Sequence, residues 1–162
     1  PAGPIVDKLA KLGDENKFKI NKPKIDQYNY SFSGIKTSVL YFIQKQEKEN
    51  PDFVKENLND LCASVQKAIV EILMDKLEKA AKDLNLNEIA IAGGVSANSG
   101  LREAMKLNEE KLGWKTYIPK FEYTTDNAAM IAMVAKLKFD RGEFTDIRAV
   151  ATSRYEIGAK VM

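Results

Sequence analysis

A chain of 162 residues, 44% hydrophobic and 30% charged, has the size and composition of one globular domain or of one half of a larger one, since about 68–70% of the unfolded surface is buried at this length. No apolar run approaches the roughly 20 residues that cross a bilayer, and the opening PAGPIVDKLAKLG has neither a basic n-region nor an apolar h-region. A cytoplasmic address without a membrane partner is therefore expected. The net charge of +2 is too small to mark a nucleic-acid binder by charge alone, and the absence of histidine excludes a Ser-His-Asp triad, a Cys-His pair and any His-containing metal site within the chain.

Pro4 suits the first turn of a helix running to about Leu12 and ended by Gly13, because the N–H that proline lacks would be unpaired there anyway. Residues 14–28 read as a polar loop. Lys8, Lys11, Lys17, Lys19, Lys22 and Lys24 concentrate positive charge around it, which composition reads as a solvated face. Tyr28 to Phe32 alternates aromatic and polar residues as a strand would, and Ser33-Gly34 turns into a helix from about Ile35 to Lys48, stopped by Asn50-Pro51. A helix from about Asp52 to Leu84 carries Leu58, Leu61, Val65, Ile69, Ile72, Leu73, Leu77, Ala80 and Leu84 at spacings of three and four. That stripe is core, and Cys62 within it reads as a buried structural thiol.

Glu88 to Ala92 reads as an apolar strand that enters Gly93-Gly94-Val95-Ser96-Ala97-Asn98-Ser99-Gly100 and then a helix, Leu101 to about Leu112. Trp114 to Ile118 is the next strand, ended by Pro119, and a last helix spans about Asn127 to Phe139, closed by Arg141-Gly142. The order strand, helix, strand, helix gives an α/β class with a small parallel sheet and packed helices.

Three segments carry the chemistry. A strand feeding Gly93-Gly94 at the opening of a helix offers backbone N–H groups and a positive helix end to a nucleotide. Spacing alone leaves open a second reading, a tight turn in which Ser96 or Asn98 caps the helix. The segment is neither G-x-G-x-x-G nor a P-loop. In Thr125-Asp126-Asn127, composition alone favours Asp126 as a helix N-cap over a ligand. Ser31-Phe32-Ser33-Gly34-Ile35-Lys36-Thr37 reads as turn chemistry before a phosphate loop.

Taken together and in this order, the segments resemble one family, the tRNA threonylcarbamoyladenosine synthases formerly called O-sialoglycoprotein endopeptidases. Pro1-Ala2-Gly3-Pro4-Ile5-Val6-Asp7 is similar to the family's Pro-Gly-Gly-Pro-x-x-Asp, and Phe32 to Thr37 is similar to Phe-Ser-Gly-Leu-Lys-Thr. Gly93 to Asn98 matches Gly-Gly-Val-Ser-Ala-Asn, and Thr125 to Asn127 matches Thr-Asp-Asn. The resemblance covers nearly the whole chain; Ala2 departs from the pattern.

The resemblance implies the C-terminal lobe of a two-lobe actin-like ATPase fold, with residues 1–162 supplying that lobe and the N-terminal lobe lying outside the chain, so that the chain, which begins at Pro1 without a methionine, is expected to be a piece of a longer protein. It also implies substrate contacts from Gly3, Asp7 and Asn98, a nucleotide loop at Gly93 and Gly94, and metal ligation by Asp126. The other ligands of that one divalent ion, iron or zinc, would be two histidines of the missing lobe, so this chain alone would retain no metal. The implied reaction moves a threonylcarbamoyl group from threonylcarbamoyl-AMP to the adenosine 3′ of the anticodon in tRNA, alongside a catalytically inert paralogue and a P-loop ATPase, and the isolated chain would be inactive. The competing readings are the ATP-binding lobe of an actin-like small-molecule kinase and a non-catalytic interaction module. The endopeptidase label gains nothing from these residues, which contain no nucleophile–base pair.

Overall fold

In a computed structural model the described residues are 2–150. The chain divides into two compact units, the first ending at Thr125 and the second starting at Asp126. In the first unit α1 (Ala2–Ala10), α2 (Phe32–Glu49), the single turn α3 (Phe53–Glu56) and the long α4 (Leu58–Asp83) precede a β–α–β unit of β1 (Glu88–Ala90), α5 (Ser99–Leu112) and β2 (Lys115–Tyr117). The strands pair in parallel, with Glu88 opposite Lys115 and Ala90 opposite Tyr117. The α/β class is as expected. Among the described residues no helix is long and apolar enough to cross a membrane.

The apolar stripe of α4 is core on two sides. Met74 and Ala81 pack with Ile89, Leu101, Trp114 and the fully buried Met105, which joins α4 to the β–α–β unit. Ala68 and Ile72 pack with Ile20 and Ile35, which seats α2 and the loop after α1. Phe18, Phe42 and Phe53 close that end with ring centroids 5.3–6.0 Å apart. Cys62 is buried, as its neighbours imply, and burial pushes its thiol above the ordinary value.

Residues 14–28 are a strap along α4 where a solvated loop was expected. Asp14 N donates to Asp60 Oδ1 (2.8 Å), Phe18 N to Ser64 Oγ (3.2 Å), Lys22 Nζ to Asp75 Oδ2 (3.2 Å) and Tyr28 OH to Asp83 Oδ2 (2.9 Å), so the strap follows the helix almost from end to end. Lys17 pairs with Asp60, and Lys22 also with Glu71, which neutralises part of the basic N-terminal stretch. The strap starts where Gly13 lies against the backbone of α4; a Cβ there would sit 2.3 Å from the Asn59 carbonyl, so only glycine fits.

Two expected elements differ. Tyr28 to Phe32 is not a strand: Ser31 Oγ accepts from Gly34 N (3.1 Å) and caps α2, which starts at Phe32. Among the described residues the five-residue alternation has no partner strand to pair with, and the capped helix takes its last residue. The helix expected from Asp52 is broken at Asn57, whose side-chain amide donates to the Phe53 carbonyl (3.0 Å), a local bond that competes with helix continuation.

The second unit contains α6 (Ala128–Asp140), apolar along most of its length and with no buried residue. Asn127 Oδ1 accepts from Met130 N (3.1 Å) and caps it. Gly142, at φ +70°, ends it in the left-handed region that glycine tolerates.

Candidate functional site

β1 delivers the chain to Gly93, whose φ of +76° and ψ of 179° belong to a region open essentially to glycine alone. A 3-10 turn, Gly94–Ala97, follows, and α5 starts only at Ser99. The Gly-Gly turn was expected to open the helix itself and does not: four residues intervene, where Ser96 Oγ donates back to the Gly93 carbonyl (2.7 Å) and tightens the chain into a separate turn. Added Cβ atoms at Gly94 or Gly3 would meet nothing within 4 Å, so both backbones can be approached closely from outside.

The N-terminus of α5 is already satisfied. Asn98 Oδ1 accepts from Leu101 N (3.0 Å), the capping geometry that spacing left open for this residue. Asp7, from α1, accepts at Oδ1 from Ser99 N (3.0 Å), from Ser99 Oγ (2.7 Å) and from Asn98 Nδ2 (3.2 Å). A carboxylate therefore occupies the position at the positive helix end where the sequence pointed to a phosphate. Its second oxygen, Oδ2, faces Lys11 Nζ at 3.7 Å and is the freer of the two.

A cavity of about 260 Å³ lies beside this cluster, lined by Gly3, Val6, Val95 and Asn98 together with apolar residues of α4. The structure thus brings Gly3, Asp7 and Asn98 together, with Gly93 and Gly94 leading into the same wall. Pro1 lies outside the described residues.

Three residues that motif reading did not single out complete the arrangement. Ser99 gives Asp7 two donors. Gln66 Oε1 accepts from Asn98 Nδ2 at 2.8 Å. Arg102 donates from Nη1 to the Ser96 carbonyl (2.8 Å) and from Nη2 to the Pro119 carbonyl (2.7 Å), with its guanidinium 5.3 Å from the Phe121 ring centre. It ties the loop after β1 to the loop after β2. An arginine reaching carbonyls 6 and 17 residues away leaves no local pattern by which to find it.

Asp126, in the second unit, is exposed and is not the cap that composition favoured; Asn127 holds that role, which leaves the Asp126 carboxylate without a structural task in α6. Among the described residues no group of three or more acidic, thiol or imidazole side chains converges as a metal site. A single carboxylate does not supply the three or four ligands a transition metal takes, so these residues do not fit a metal by themselves.

Residues 1–133 match the family described as TsaD, tRNA N6-adenosine threonylcarbamoyltransferase. Similar proteins of that printed name come from Riemerella anatipestifer (70% identical, over 99% of this chain and 47% of the relative), Christiangramia forsetii (54%, over 96% and 46%) and Thermosipho africanus (50%, over 97% and 47%). The chain spans about half the length of the curated relatives it matches. By these matches the chain belongs to the tRNA N6-adenosine threonylcarbamoyltransferase family.

Proposed function

We propose that this chain is the C-terminal lobe of an actin-like enzyme that transfers a threonylcarbamoyl group from threonylcarbamoyl-AMP to the adenosine 3′ of the anticodon in tRNA. In that reaction the bond from the carbamoyl carbon to a phosphate oxygen breaks, a bond to the exocyclic nitrogen of adenine forms, one N–H proton is released and AMP leaves. The contribution of this lobe is to bind and orient the adenylate. Asp7 Oδ2, the oxygen not committed to Ser99, accepts from a ribose hydroxyl, Asn98 borders the cavity, and the bare backbones at Gly3, Gly93 and Gly94 admit the nucleotide at close range. Asp126 contributes one carboxylate to a divalent iron or zinc ion whose other ligands come from outside the chain. The inert paralogue and the P-loop ATPase act as partners of the whole enzyme.

The observation that carries the reading is the joining of Asp7, on α1, to Asn98 and Ser99 at the start of α5, at the edge of a cavity that Gly3 also lines. The test is made on the full-length protein assayed with its partners: Asp7→Asn, which keeps the side-chain shape and replaces an acceptor with a donor, is expected to cut tRNA modification at least tenfold, read by nucleoside mass spectrometry. Unchanged modification by a folded Asp7→Asn enzyme would remove the assignment.

A further inference from the structure

We propose that Gln66, on α4, is a positioning residue for the adenylate site, acting through Asn98; the proposal rests on the reading of Asn98 as a substrate contact. Around the cavity, Gln66 and Asn98 are the polar side chains among otherwise apolar or glycine neighbours, and they face each other across a bond of 2.8 Å from Asn98 Nδ2 to Gln66 Oε1. Gln66 is half-buried, and its amide oxygen is satisfied by the residue that borders the cavity.

The geometry divides the work. Leu101 N holds Asn98 Oδ1 at 3.0 Å, and Asp7 Oδ1 takes one Nδ2 proton at 3.2 Å, the longer of the two bonds that nitrogen donates. Asp7 Oδ1 also accepts from Ser99 N and Ser99 Oγ, so Asn98 shares that oxygen with two other donors. Gln66, on a separate helix, supplies the shorter bond to the same Nδ2 and fixes the amide plane from the side opposite Leu101 N. Room for the Gln66 amide comes from Gly100, where a Cβ would lie 3.3 Å from Gln66 Nε2.

The test is a double-mutant cycle on the full-length protein with its partners, reading KM for threonylcarbamoyl-AMP and kcat separately. Gln66→Met fills the same space without an acceptor and is expected to raise KM about five- to tenfold with thermal stability nearly unchanged, the value of one lost hydrogen bond. Asn98→Ala should raise KM at least as much, and the double variant no further than Asn98→Ala alone. Should Gln66→Met fold poorly, Gln66→Leu enters the same cycle. Additive effects in the double variant would make Gln66 an independent packing residue and overturn the proposal. So would an unchanged KM for Gln66→Met while Asn98→Ala raises it. An unchanged KM for Asn98→Ala would overturn the reading of Asn98 itself and this proposal with it.

Discussion

Asp7 Oδ1 takes both the backbone N–H and the hydroxyl of Ser99, 92 residues further along the chain. One carboxylate oxygen thereby anchors α1 to the first turn of α5 and leaves the other oxygen toward Lys11. Because Asp7 sits at the positive end of α5, its loss costs stability as well as any role in binding. Asp7→Ala is expected to lower unfolding free energy by about 1–2 kcal/mol, the range for a helix-end carboxylate and its hydrogen bonds. Asp7→Asn should recover part of this, because its amide oxygen still accepts from Ser99. Urea unfolding of both variants checks the order.

Arg102 spans two loops with two bonds, a geometry that a planar guanidinium makes and a single ammonium does not. Arg102→Lys should keep one carbonyl contact and cost about 1 kcal/mol; Arg102→Ala should cost about 2 kcal/mol through two unsatisfied carbonyls. The sharper readout is local. Amide exchange at Ser96 and Asn98, whose N–H groups bond to Gly93 and Val95 carbonyls within the turn, should speed up in both variants while exchange in the middle of α4 stays as it was.

At Gly13 the chain has no alternative residue. A methyl group would stand 2.3 Å from the Asn59 carbonyl carbon and oxygen, and both sides of that contact are backbone. Gly13→Ala is expected to destabilise by about 1–3 kcal/mol, the usual cost of overpacking, and to release the Lys17–Asp60 pair. A thermal melt gives the first result, and the salt dependence of stability gives the second.

The strap also carries a pH dependence. The Lys17 ammonium, and then the Asp14 N–H, hold the Asp60 carboxyl below its ordinary value of 3.8. A carboxylate with a depressed folded value stabilises fully above the unfolded value and loses that contribution as pH falls through the folded one. The stability difference between the native chain and Asp60→Asn should therefore be constant from neutral pH down to about 4 and shrink below it. Urea midpoints across that range check the sign; a difference that grew on acidification would reverse it.

The α4 stripe, the two strands and the Gly93-Gly94 segment were legible because each depends on neighbours within a few residues. The strap was not. Lys22 and Asp75 lie 53 residues apart, and no local period announces an ion pair of that separation. Tyr28 to Phe32 failed for a related reason: the alternation was real, but Ser31 as a cap for α2 competes for the same residues and wins where the described residues offer no partner strand. At the site, the family resemblance pointed to Gly3, Asp7 and Asn98, yet it could not reveal that Asp7 fills the helix end. Gln66 and Arg102 act through carbonyl and amide partners that any residue could provide.

The adjacent pair Asp126 and Asn127 separates structure from chemistry in the second unit. Asn127 caps α6 through Met130 N, so Asn127→Ala should cost about 1 kcal/mol in stability. Asp126 is exposed and does not cap, and Asp126→Ala should leave the melting temperature of the full-length protein within about 1 °C, because surface changes away from structural contacts fall within about 0.5 kcal/mol. If Asp126 supplies a metal ligand in the complete enzyme, the same change should abolish tRNA modification and lower the bound metal measured by mass spectrometry. Asp126→Asn should behave the same way, since a neutral amide binds a divalent ion far more weakly than a carboxylate. Full modification and undiminished metal in a folded Asp126→Ala enzyme would exclude a ligand role for this carboxylate.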